Sequence, residues 1–203
     1  MNPKKLLKFT AGLLVGCGCV GPALAQVTID VDMDTITPGI QTTRSTLGPF
    51  TAALVMTVGP GGVSSYGLSL LFDNTELSLV GVTPATELLP AGFAFNITPG
   101  VASFSQALGQ VYTFEAATFG LGPASTSFTF GLINYTVTSI VNDGIADISP
   151  GLFNIGIDGL FDNAGLPVVP TLNPGFVVPE PNAAALFLCG TAAFWLLQRS
   201  RRG

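Results

Sequence analysis

Alternation of apolar and polar residues with a period of two is the feature that most restricts this chain. In Val27-Thr28-Ile29-Asp30-Val31-Asp32-Met33-Asp34 every other side chain is apolar, which sets one face of an extended strand against a core and the other against water. The same texture returns at 51–58 (TAALVMTV), 64–72 (SSYGLSLLF), 77–83 (LSLVGVT), 101–106, 111–119, 126–138 (TSFTFGLINYTVT) and 152–157. Turn-forming clusters separate these runs: Gly59-Pro60-Gly61-Gly62, Asp73-Asn74, Thr98-Pro99-Gly100, Gly122-Pro123 and Asn142-Asp143-Gly144. No long amphipathic helix pattern occurs between 26 and 178. Many short strands rich in Phe, Thr and Val predict an all-β fold, a two-sheet antiparallel sandwich with Greek-key or jelly-roll connections.

The two ends of the chain obey a different rule. Residues 1–25 read as a secretory signal peptide: Lys4, Lys5 and Lys8, an apolar run from Phe9 to Val20, the breakers Gly21 and Pro22, and then Ala23-Leu24-Ala25. Small residues at Ala23 and Ala25 fit a signal peptidase, with cleavage after Ala25. An apolar run of about twelve residues is too short for a retained span, which needs about 20. A rival site is Leu14-Val15-Gly16-Cys17, which resembles a lipoprotein cleavage box with Cys17 as the lipidated residue. The other end carries Val178-Pro179-Glu180-Pro181, an apolar stretch from Asn182 to Leu197, and Gln198-Arg199-Ser200-Arg201-Arg202-Gly203. Two prolines keep the stretch before the apolar run extended and accessible. A helix over 182–197 would rise about 24 Å, a little short of the roughly 30 Å hydrocarbon layer, which a bilayer accommodates by thinning. Arg199, Arg201 and Arg202 would then hold the C-terminus on the cytoplasmic side, as basic residues flanking a span do.

In order and spacing this tail resembles the PEP-CTERM sorting signal of Gram-negative bacteria, with Pro179, Glu180 and Pro181 on the motif that names it. Asn182 stands where serine or threonine often follows the motif. The resemblance implies recognition by an exosortase-type membrane protease, membrane anchorage in transit through helix 182–197, and delivery to the cell surface or an extracellular polymer matrix. The expected organisation is therefore a signal peptide at 1–25, a β domain at 26–170, a linker at 171–178 and the sorting signal at 179–203.

Charge and cysteine content narrow the chemistry of the body. Six of the seven basic residues lie in the terminal segments, so 26–178 carries eleven acidic side chains against Arg44 alone, a formal charge of −10. Such a surface repels phosphate backbones, and no nucleic-acid partner is expected. Cys17, Cys19 and Cys189 all lie in the terminal segments, and the chain has no histidine. Disulfides therefore do not hold the body together, and the usual zinc, copper and iron ligands are missing. No serine has a histidine to activate it, and the spacing of Glu76, Glu87 and Glu115 does not favour a glycosidase pair, so no enzyme activity and no catalytic residue are expected.

Three acidic groupings bear on calcium. Asp30, Asp32 and Asp34 would share one strand face about 6.6–6.8 Å apart, too widely spread for one ion. Asn142, Asp143 and Asp147, and Asp158, Asp162 and Asn163, supply oxygen ligands of the kind Ca²⁺ takes. Neither has EF-hand spacing, and Asx turns that hydrogen-bond their own backbone are the expected account, leaving no assigned metal residue and no cofactor. Tyr112 and Tyr135 are the positions to test for polysaccharide binding, since exposed aromatics stack on sugars.

The middle of the chain also resembles cohesin-like domains. Tyr66-Gly67-Leu68-Ser69-Leu70-Leu71-Phe72-Asp73 with Leu77 to Val82, then Phe128 to Thr138, then Asp158-Gly159-Leu160-Phe161-Asp162-Asn163-Ala164-Gly165-Leu166-Pro167 carry the likeness. It implies a cohesin-like jelly-roll sandwich over 26–170, in a superfamily that includes carbohydrate-binding modules. No motif here specifies dockerin binding. The expectation that follows is an exported, non-enzymatic surface or matrix protein associated with exopolysaccharide; the alternative is a carbohydrate-binding or calcium-assisted polysaccharide-recognition module.

Overall fold

The computed structural model describes residues 26–84, 103–118, 121–154, 156 and 158–179. The elements are β1 (Val27–Asp32), β2 (Thr43–Arg44), β3 (Gly48–Val58), β4 (Ser65–Phe72), β5 (Leu77–Pro84), β6 (Ser103–Ser105), β7 (Gln110–Ala117), β8 (Thr126–Val137), β9 (Ile148–Gly151), β10 (Gly159–Phe161), β11 (Thr171–Asn173) and β12 (Phe176–Val177). Among the described residues no helix is long and apolar enough to cross a membrane. The signal peptide with Ala23 and Ala25, and the tail with Glu180, Pro181, the helix expected at 182–197 and Arg199, Arg201 and Arg202, lie outside the described residues.

The period-two pattern becomes two sheets facing one another. One runs β11-β1-β3-β8-β5; the other runs β10-β4-β7-β6, with β9 pairing on β4. The long contacts β1–β3, β3–β8, β5–β8 and β4–β7 are all antiparallel. Inward positions alternate along β1 (Val27, Ile29, Val31) and β4 (Tyr66, Leu68, Leu70, Phe72), all nearly or fully buried. Opposing sheets are joined by aromatic contacts. Tyr135 of β8 lies 5.4 Å from Phe72 of β4 across the sandwich and 5.7 Å from Phe50 of its sheet neighbour β3 by ring centroids. Phe130 of β8 lies 5.2 Å from Tyr66 of β4 and 6.1 Å from Phe114 of β7, both edge-on. Each such pair adds about 0.5–1.5 kcal/mol beyond the burial of its surface.

Perfect alternation would not have filled this core. In β8 the buried residues are Phe128, Phe130, Gly131, Ile133, Tyr135 and Val137, so the phase shifts by one at 130–131. The pairing shows why: Leu54 faces Gly131 while Val55 faces Thr129, which leaves Phe130 as the extra residue of a β-bulge. Without the bulge, one half of this twelve-residue strand would point its Phe or Ile–Tyr–Val set at solvent. Similar shifts occur in β5, where Val80 is skipped and turned outward, and between β4 and β7 around Leu68 and Leu70. The Phe130 bulge also explains the glycine beside it. A Cβ at Gly131 would sit 2.7 Å from Phe114 Cε1 and 3.3 Å from a Leu54 methyl.

Several expectations need correction. The described residues of 152–157 (152–154 and 156) form no strand; β9 and β10 come before and after them, and both strands pair with the same edge of β4. Pro150, which has no N–H to donate, is accommodated within β9 because that strand lies at the sheet edge. The first strand ends at Asp32, where Asp32 Oδ1 accepts hydrogen bonds from the Asp34 and Gln41 N–H groups and turns the chain. The segment 171–178 is not a linker. Its β11 pairs in parallel with β1 and its β12 in parallel with β2, so the domain extends to Val178, whose N–H still donates to the Arg44 carbonyl at 2.7 Å.

Gly131→Ala should lower unfolding free energy by about 1–3 kcal/mol, because the fully buried Phe114 ring has no room to move aside. Urea unfolding monitored by aromatic fluorescence checks this. Gly81→Ala in β5, where an added Cβ meets nothing within 4 Å, should stay within about 0.5 kcal/mol of the parent.

Candidate functional site

The turn from β4 to β5 is short because Asp73 caps it. Its Oδ1 accepts from the Thr75 N–H at 2.8 Å and the Thr75 hydroxyl at 2.6 Å, while the Leu77 N–H donates to the Asp73 carbonyl at 2.8 Å. That turn brings Glu76 inward, only 1% exposed. The Glu76 carbonyl accepts from the Thr138 N–H at 2.8 Å and hydroxyl at 2.9 Å, and its Oε1 accepts from the Val141 N–H. The segment after β8 is thereby bound to the turn.

Asp147 completes the grouping from the far side. It is 2% exposed, its N–H donates to the Gly175 carbonyl at 3.0 Å, and its own carbonyl accepts from the Asp73 N–H at 2.9 Å. Its Oδ2 accepts from the Val177 N–H at 2.6 Å, whereas Oδ1 is buried without a hydrogen-bond partner. Asp73, Glu76 and Asp147 each offer one oxygen, and these three oxygens lie within 4.8 Å of one another. Burial, then the Glu76 carboxyl beside it, push the Asp147 carboxyl up to about 7, against the opposing pull of the Val177 N–H. The only basic residue among those described, Arg44, has its guanidinium 4.7 Å from the centre of the Phe50 ring.

The other acidic groupings resolve into local hydrogen bonding. Asp30 accepts from the Asn173 side chain at 2.7 Å, and Asp34 from the Thr37 hydroxyl at 2.6 Å and the Ile36 N–H at 3.1 Å. The Thr37 hydroxyl, more than any other neighbour, holds the Asp34 carboxyl below its usual range. Asp32 is buried rather than solvated. Asp143 caps its own turn through the Ile145 N–H at 2.8 Å, as an Asx turn does, but Asp147 of the same expected group belongs elsewhere. Asp162 Oδ1 accepts from the Ala164 and Leu166 N–H groups, each at 2.8 Å, and Asp158 Oδ2 from the Asn154 N–H at 2.7 Å. Asn163 bonds both backbone groups of Gly122 at 2.7 and 3.2 Å, joining two loops. Of the three glutamates, Glu76 meets Asp73 and Asp147, Glu115 lies on β7, and Glu87 lies outside the described residues.

Tyr135, one of the two positions to test for polysaccharide binding, is 0% exposed. It sits on the inward phase of β8, its hydroxyl has no hydrogen-bond partner, and burial raises its pKa well above the usual phenol range. Tyr112 is half-buried, donates to Gln110 Oε1, and lines a shallow groove of about 150 Å³ with Leu70, Val111 and Phe153.

No protein-family model matches this chain, and no curated protein does. Solved structures do share its architecture. CaCohA2 from Clostridium acetobutylicum, a solution structure, superposes with a TM-score of 0.50 at 11% identity over 77% of this chain and 92% of that one. The sixth cohesin of scaffoldin B from Acetivibrio cellulolyticus, solved with a Cel5 dockerin, gives a TM-score of 0.49 at 16% identity over 76% and 99%. A non-cellulosomal cohesin from the archaeon Archaeoglobus fulgidus gives 0.42 at 16% identity over 79% and 96%. At these identities the likeness is one of fold: the chain is an all-β, cohesin-like jelly-roll sandwich.

Tyr135→Phe should raise stability by about 1 kcal/mol, since it removes a buried hydroxyl that pairs with nothing while keeping the ring contacts. The midpoint of chemical denaturation reads this, and a midpoint below the parent's would show that the hydroxyl is satisfied in solution.

Proposed function

We propose that this chain is an exported, non-enzymatic protein of the cell surface or extracellular matrix, whose cohesin-like sandwich serves as a structural or protein-interaction module. The observation that carries the reading is the direct join between a folded sandwich and a sorting-type tail. Among the described residues the last sheet hydrogen bond, from the Val178 N–H to the Arg44 carbonyl, is followed at once by exposed Pro179, the first residue of the Pro-Glu-Pro motif. An extended, proline-flanked segment beside a folded body suits a membrane protease, because it presents backbone without requiring the sheet to open.

In this reading the signal peptide is cleaved after Ala25 and the apolar 182–197 stretch holds the chain in the inner membrane. Arg199, Arg201 and Arg202 set its direction, and an exosortase-type protease acts at Pro179-Glu180-Pro181. The aromatic core supports a display role. Phe72, Tyr135, Phe130 and Phe114 fill the space between the sheets, so recognition falls to the outer faces and loops. Several solved neighbours are cohesins bound to dockerins, and a protein partner is the corresponding expectation for this module. Association with exopolysaccharide follows from the proposed address alone.

Mass spectrometry of the protein recovered from its native host should find an N-terminus at Gln26 and a C-terminus near 179–181. Replacing Glu180 with Ala should leave most of the chain full-length in the membrane fraction. Recovery of the parent protein with Gly203 intact, in membranes, would falsify the sorting step.

A further inference from the structure

We infer that Asp73, Glu76 and Asp147 form a calcium site that fastens the C-terminal strands to the sandwich. Three oxygens within 4.8 Å of one another match the reach of one ion, since Ca²⁺ binds oxygens at about 2.3–2.6 Å and so tolerates pairs up to roughly 5 Å apart. The donors are all carboxylate oxygens, which suit a hard cation and not zinc or copper. Calcium fits better than magnesium because a fixed cage of three carboxylates leaves little freedom for the near-ideal octahedron and retained waters magnesium demands.

Independent of the clustering, Asp147 Oδ1 is a buried oxygen with no hydrogen-bond partner on a side chain only 2% exposed. Burying a carboxylate oxygen without a donor is costly, and here the residue that carries it shares a cluster with two further carboxylates, so the place suits a positive ligand. The backbone has arranged the cage in advance. One oxygen of each carboxylate is held by a local donor, from Thr75, Val141 and Val177 respectively. Half-buried Asp73 leaves one side open to solvent, giving entry and room for water ligands.

The site has a structural consequence. Asp73 and Glu76 belong to the β4–β5 turn, and Asp147 precedes β9 and binds the Val177 N–H of β12. An ion shared by the three would tie the start of β5 and the end of β12 to one point. This inference stands whether or not the tail is processed.

The test uses purified full-length protein stripped with EDTA and titrated with CaCl₂ by calorimetry and thermal unfolding, with MgCl₂ and ionic-strength-matched NaCl as comparators. Saturable binding of about one Ca²⁺ per chain is expected, with a melting-temperature rise of about 5–10 °C at a hundredfold excess over Kd. Asp147→Asn should abolish that rise while leaving the EDTA-treated protein at least as stable as the parent, because it relieves repulsion and keeps an acceptor for Val177. Asp143→Asn, the same charge change in a self-capped turn, should keep the full calcium response. Absence of saturable calcium binding by the parent would overturn the proposal in favour of a carboxyl pair sharing a proton. An undiminished calcium response in Asp147→Asn would overturn it in favour of diffuse counterion binding.

Discussion

The two sheets can close on each other only because β8 buries both of its halves. Its twelve residues pair with β3 on one side and β5 on the other, so it is the strand on which the first sheet is assembled. An uninterrupted period of two would commit every second side chain of β8 to one face. Phe128 and Phe130 would then oppose Ile133, Tyr135 and Val137 across the sheet. The Phe130 bulge changes the phase, and all five point inward. Gly131 follows from it, since the Phe114 ring occupies the volume a side chain there would need. The contacts that join the sheets at both ends, Tyr135 with Phe72 and Phe130 with Tyr66 and Phe114, depend on this one local irregularity.

That dependence explains how much of the fold was legible in the sequence. Alternation located β1, β3, β4, β5, β7 and β8, and with them the sandwich, because long strands with one buried face write their period into the chain; the run 101–106 also contains the three-residue β6. What escaped were short pieces with no room for a period: two residues each in β2 and β12, three each in β10 and β11, and four in β9. Edge strands need only part of a hydrogen-bond ladder and little apolar surface, so their placement is set by the neighbour they cover. Residues 152–157 look like a strand by composition, yet they lie between two strands that occupy the same edge of β4. The bulges were hidden for a related reason. A skipped residue differs from an ordinary one only through the partner it fails to face.

The acidic residues show a sharper limit. Asx turns act within a few residues, so the self-capping of Asp143 and Asp162 could be read from Asn-Asp-Gly and Asp-Asn-Ala-Gly. The carboxylate cluster joins positions 73, 76 and 147, and no spacing rule connects the last with the first two. Asp147 seemed to belong with Asn142 and Asp143, but its side chain is turned away from its own loop by the pairing of its backbone with Asp73 and Gly175. Glu76 carried one available signal: an acidic residue directly before the apolar start of β5, three residues after an Asp that caps a turn. Tyr135 carried the opposite one, since the alternation of β8 already placed it on the inward phase with Ile133 and Val137. Naming Tyr135 as a position to test for polysaccharide binding set that pattern aside, and the buried ring follows the pattern.

Inclusion of 171–178 in the sandwich changes how body and tail relate. A free linker would let the Pro-Glu-Pro motif stand at a distance from the domain, whereas β12 holds Val177 by Asp147 and Val178 by Arg44, with Pro179 exposed immediately beyond. Every strand and sheet hydrogen bond among the described residues lies before Pro179, so cleavage in or after that motif would leave all of them in the body. β11 also covers the edge of β1 that the first strand would otherwise leave unpaired, and an uncovered edge invites pairing with a second chain. The same few residues thus finish the sheet and end at the tail. The three carboxylates meet at this junction, where Asp147 Oδ2 accepts from the Val177 N–H of the strand that precedes the tail.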